Sequence, residues 1–177
     1  MIIPGIIASR FTPQGDFESI ATVTVGAGGV ANVDFQSISS SYQHLQVRAL
    51  ILGSFTYMKI NLNNDTGSNY AWHELFGDGG SAGAGASANT TFGLADQVSS
   101  GTSLRPGLFI MDLLDYKDTN KFKTMRTLSG FDNNGAGGVF LNSSLWRSTS
   151  AVNRITFTMN TGNIGQYSHI ALYGIKG

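Results

Sequence analysis

The sequence predicts an all-β fold, an antiparallel β-sandwich of jelly-roll type with an extended N-terminal arm. Three observations carry this. Short apolar runs alternate with polar residues at period two, and Gly, Asn, Asp or Ser punctuate them about every 8 to 15 residues. The runs are rich in β-branched and aromatic residues. No stretch shows the apolar spacing of a convincing amphipathic helix, so about nine or ten short strands must close one core.

Residues 1–16 precede the first strand. Ile2, Ile3, Ile6, Ile7 and Phe11 are interleaved with Pro4, Gly5, Pro13 and Gly15. That mixture is too apolar for a free tail and too interrupted for a helix. It predicts an extended arm that lies against another surface, a neighbouring molecule's or its own domain's, followed by a single sandwich domain over 17–177.

The strands follow in order. Ile20 to Val25 and Val30 to Phe35 flank Gly26-Ala27-Gly28-Gly29, which predicts a hairpin. Tyr42 to Leu52 and Tyr57 to Leu62 alternate cleanly, giving each one buried and one wet face. Asn69 to Phe76 fits one helical turn or an irregular strand. Gly77 to Thr90, almost all Gly, Ala and Ser, predicts an exposed loop. Gly107 to Tyr116 is apolar at both parities, which predicts a central strand covered on both sides. Phe122 to Leu128 places Phe122, Thr124, Arg126 and Leu128 on one face. The Asn134-Gly135 step predicts a tight hairpin turn before Val139 to Trp146. Arg154 to Met159 and Tyr167 to Ile175 complete the set.

Charge and composition narrow the function. Acidic and basic residues number 11 each, for a formal net charge of zero, and only 12% of residues are charged. No long-range field draws the chain to nucleic acid or an anionic membrane. A weakly charged surface also resists self-association poorly, which suits a component of a large assembly. Cysteine is absent, removing disulfides and thiolate chemistry. No apolar run reaches the about 18 residues of a membrane span, and the first residues lack the basic start of a secretory leader. The chain reads as soluble and unprocessed.

Catalytic patterns are weak. His44, His73 and His169 lie in no nucleophile signature, and alternating strand positions suit structural imidazoles. The acid pairs Asp112 with Asp115 and Glu74 with Asp78 could meet a hydrolytic spacing, as could any two acids in a small protein, and Asp112 is better explained as a buried hydrogen-bonded acid and Asp115 as a turn former. Asn61 to Asn69 is rich in oxygen but lacks the ligand spacing of a calcium loop. No metal, cofactor or enzymatic activity is expected. The best recognition candidates are Tyr70, Trp72, His73 and Trp146, aromatic and polar groups of the kind that contact sugars.

Several segments together carry a resemblance: Ser41 to Arg48, Asn64 to Tyr70 with His73 to Gly77, Asp115 to Thr124, Ser144 to Arg147, and the closing Ala171-Leu172-Tyr173-Gly174-Ile175-Lys176-Gly177. They resemble a family of small structural proteins of tailed-bacteriophage virions. The resemblance implies a particle protein and brings no catalytic residues. Two virion roles fit a small β-domain with an apolar arm. The first is a capsid decoration, or cement, protein on the head surface. Its partner would be the major capsid protein or another virion protein, and it would form a homo-oligomer, with a trimer favoured. The alternative is a tail fibre or adsorption domain that binds host-surface glycan.

Overall fold

The computed structural model describes residues 16–54, 56–101 and 104–177. The residues proposed for the arm, Ile2, Ile3, Ile6, Ile7 and Phe11, lie outside the described residues. Among the described residues there are twelve strands and no helix. They are β1 (Phe17–Thr24), β2 (Asn32–Phe35), β3 (His44–Ile51), β4 (Met58–Leu62), β5 (Tyr70–Gly77), β6 (Ala82–Thr90), β7 (Gly93–Ala95), β8 (Gly107–Leu113), β9 (Lys123–Asp132), β10 (Gly137–Trp146), β11 (Ile155–Met159) and β12 (His169–Ile175).

Every pairing is antiparallel. The large sheet has eight strands in the order β1-β12-β3-β8-β9-β10-β5-β6, and the small sheet has four in the order β2-β11-β4-β7. The chain passes back and forth between the two. The half-sheet β1-β12-β3-β8 and the sheet β2-β11-β4-β7 interleave in the double Greek-key order of a jelly roll. Two hairpins, β5–β6 and β9–β10, extend the large sheet beyond that frame.

Alternation explains the core. In β3 the burial follows the sequence parity, with Leu45, Val47, Ala49 and Ile51 inward. In β4 the inward set is Met58, Ile60 and Leu62. Phe157 of β11 joins the two sheets, its ring 5.7 Å from that of Phe109 in β8 and 6.3 Å from that of Phe35 in β2. Each such large side chain contributes about 1.5 to 3 kcal/mol when fully buried.

Four sequence expectations change. The segments predicted as a first hairpin do not pair: β1 bonds to β12 and β2 bonds to β11, in opposite sheets. The Gly26 to Gly29 link crosses from one sheet to the other, and Val23, Val25, Val33 and Phe35 on either side of it all join or pack against the one core. Part of the predicted Gly/Ala/Ser loop is strand β6, paired with β5 along its length. Its glycines make that pairing fit, since a Cβ on Gly83 would lie 2.5 Å from Cζ of Phe76, whose ring covers β6 and stacks on Phe140 at 5.8 Å. The open choice at Asn69 to Phe76 resolves to strand β5. Finally, β8 is central in the sheet but covered on one side only, and Leu108 is 48% exposed.

The predicted turn does form. Asn134 and Gly135 have φ of 59° and 113°, and the Asn133 N–H donates to the Ala136 carbonyl at 2.6 Å. Behind this hairpin the inner face is polar. Ser144 Oγ accepts from the Leu94 N–H at 3.0 Å, Thr127 Oγ1 donates to the Leu94 carbonyl at 3.0 Å, and Asn142 Oδ1 accepts from the Asp96 N–H at 3.2 Å. The backbone of β7 thus pairs with β4 on one side and with these side chains on the other.

Candidate functional site

The outer face of the large sheet is the most distinctive surface of the molecule. Cross-strand register aligns its outward side chains into rows. One row runs Ile110–Leu128–Leu141–Leu75–Ala84 across β8, β9, β10, β5 and β6. Beside it lies Leu50–Leu108–Gly130–Val139–Gly77. Leu75 and Val139 are each 61% exposed, Leu128 46% and Leu141 45%. Neighbouring aliphatic groups at register spacing therefore form a continuous apolar band, not scattered single residues. The next row, Gln46–Asp112–Arg126–Ser143–His73, is polar and borders it.

At one end the band opens into a groove of about 800 Å³. Leu108, Leu128 and Val139 form its floor, and Leu104 and Pro106 stand on one side. The Arg105 guanidinium donates to the Asn133 carbonyl at 2.9 Å, tying that wall to the β9–β10 turn. Asp78 sits on the opposite rim. Its carboxyl is held below the usual range because it caps its own turn, accepting from the Ser81 and Gly80 N–H groups.

The proposed sugar-contact residues separate. Tyr70 and Trp146 are buried, at 0% and 2% exposure, with ring centroids 6.3 Å apart. Neither presents a ring face to a ligand, which corrects the expectation for these two. Trp146 Nε1 donates to Asp65 at 2.7 Å, and the Tyr70 hydroxyl accepts from the Leu62 N–H at 2.9 Å. Burial raises the Tyr70 hydroxyl to about 12. Burial alone would raise Asp65, but hydrogen bonds from Trp146, Asn69 and the Gly67 N–H outweigh it and hold the carboxyl low. The oxygen-rich Asn61 to Asn69 stretch is accordingly a turn closed around Asp65. Trp72 lies on the inner side over Gly85, and its buried Nε1 has no hydrogen-bond partner among the described residues. His73 is exposed in the polar row of the outer face.

The acid pairs also differ from those weighed in the sequence. Asp112 accepts from Gln46 at 2.8 Å, while Asp115 is engaged by Lys121 and Gln43, each at 2.5 Å. His44 Nδ1 accepts from the Asp115 N–H at 2.9 Å, and His169 Nδ1 meets Thr24 Oγ1 at 3.1 Å. Both imidazoles have structural partners. Glu74 meets Asp96, not Asp78. Burial pushes the Asp96 carboxyl up to about 6, and the adjacent Glu74 carboxyl adds to the rise. Asn142 Nδ2 donates to Glu74 at 3.0 Å, tying the pair to the buried floor of β10. Burial and a second carboxyl alongside both disfavour the charged form of Asp96. Sequence reasoning missed Asp96, which follows a three-residue strand and carries no motif.

No protein-family model matches this chain, and no curated protein matches it.

Proposed function

We propose that this chain is a structural component of a tailed-phage particle, acting as a decoration protein that self-associates and binds the head. The carrying observation is the open aliphatic band on the outer face of the large sheet. A side chain half covered in the monomer gains further burial only against another molecule, at about 25 cal/mol per Å² of apolar area. Several Leu and Val side chains arranged in register supply such a surface without any charged anchor. The sequence resemblance points to the particle, and an apolar arm ahead of Phe17 supplies a second contact to a neighbouring virion protein. Multivalent contacts on a lattice convert individually weak docking into persistent occupancy.

The activity proposed is binding, not catalysis. The Glu74–Asp96 pair is occupied with holding β5 and β10 against the segment after β7. The burial of Tyr70 and Trp146 weakens the adsorption reading, which needs exposed rings. Quantifying copies per particle tests the proposal. Decoration predicts a copy number that scales with the capsid lattice, whereas a number matching the single tail refutes it.

A further inference from the structure

Among the described residues the two sheets present four edges, and three of them are short, irregular, charged or already bonded in ways that discourage a further strand. β1 carries Glu18, ion-paired with Lys176 at 2.5 Å, and a register shift between Ser19 and Ala21. β2 is four residues long, and its Asp34 is clamped by Arg154 at 2.5 Å. β7 has three residues, and its free side is taken by Ser144, Thr127 and Asn142. The fourth edge, β6, is nine residues long with no charged residue and no proline. It pairs only with β5, and no backbone or side-chain group among the described residues bonds to the other edge of Ala82 to Ala88. A row of unpaired N–H and C=O groups is a template for another strand, and each group gains by pairing.

We propose that β6 pairs antiparallel with β6 of a second copy of this chain, joining two large sheets edge to edge about a two-fold axis. An antiparallel strand repeated on itself is self-complementary, as a two-fold interface requires. Nothing charged opposes itself across the join, because the exposed side chains of β6 are Ala82, Ala84, Ala86, Ala88 and the uncharged Asn89. Zero net charge adds no repulsion between copies. The apolar row also continues over the join, since Ala84 extends the line from Leu128, Leu141 and Leu75. A single strand edge buries less than the roughly 800 Å² per partner of a standard stable interface. The pairing is therefore reversible in solution and persists where copies are held side by side. This inference rests on the self-association reading above and names the element that carries it.

The chain has no cysteine, so introduced thiols are unique. Full-length Ala82→Cys, Ala84→Cys, Ala86→Cys and Ala88→Cys proteins, alone and in pairwise mixtures, are treated with a short bis-maleimide. Tyr167→Cys, at a position 71% exposed away from β6, is the collision control. One self-pair or one mixture should give about tenfold more two-chain product than the control, because docking raises local thiol concentration toward the millimolar range. Yield should fall symmetrically on either side, the signature of an antiparallel register. Ala84→Lys in the best pair, or Ala86→Lys where position 84 carries the thiol, should return the yield to control level with the fold intact by circular dichroism. Control-level yield throughout overturns the proposal. So does preferential capture of Ala86→Cys by Ile6→Cys, which would make the N-terminal segment the occupant. If copies track the capsid lattice while β6 thiols stay unlinked, only this inference fails; linked β6 thiols in a protein missing from particles would instead sink the proposed function.

Discussion

Replacing Asp96 by Asn tests the buried acid pair, because the side chain keeps its shape and loses its charge. The Asp96 carboxyl is raised from its ordinary 3.8 to about 6 in the folded chain. Between those values the folded state holds a proton that the unfolded chain has released. Stability contributed by protonated Asp96 is therefore complete below the unfolded pKa and is lost as pH rises through the folded one. About two units of displacement correspond to a ceiling of roughly 3 kcal/mol, and partial solvent access reduces this to about 1 to 2 kcal/mol. Asn is neutral throughout and its Oδ1 still accepts the Gln97 N–H, now at 2.9 Å. Urea unfolding followed by tryptophan fluorescence should show Asp96→Asn gaining on the wild type by about 1 to 2 kcal/mol between about pH 4 and pH 8. A difference that is the same at both pH values, or a variant less stable at the higher one, refutes the raised Asp96 carboxyl.

Two further substitutions probe the packing. Lys123 is 1% exposed and its ammonium donates to the carbonyls of Asp118, Lys121 and Thr149 at 2.5, 2.9 and 3.2 Å. Lys123→Met keeps the stem and orphans these carbonyls, so it should cost about 1 to 3 kcal/mol in thermal or urea unfolding. A neutral effect would show that water satisfies them. Gly83→Val drives a branched Cβ to within 2.5 Å of the Phe76 ring and should cost about 1 to 3 kcal/mol. Most of that cost should vanish in a Phe76→Ala background; a loss unchanged there would show that the ring is not what requires glycine.

The legible parts of this fold are those where one physical cause dominates. β3 and β4 alternate because one face meets the core and the other meets water, and their sequences say so. The turn at Asn134 and Gly135 is equally local, since it needs only positive φ. β6 was illegible because Ala and Gly have little strand preference of their own, and its pairing depends on the rings of Phe76 and Trp72 lying over Gly83 and Gly85. The arch between β1 and β2 looks like a hairpin in sequence, because a glycine link does not encode which sheet receives the next strand. Leu108 and Ile110 suggested a covered strand for a related reason: an apolar residue kept for a partner and one kept for the monomer's own core carry the same letter. The same ambiguity applies to Tyr70 and Trp146, which stack in the core while the Trp146 indole reaches the half-buried Asp65.

The apolar band on the outer face is tested most directly by hydroxyl-radical footprinting of Leu75, Leu128 and Leu141, comparing purified chain with intact particles. An assembly surface predicts strong oxidation of all three in the free chain and clear protection in the particle. Equal oxidation in both states would show that the band faces solvent in place and would contradict the account.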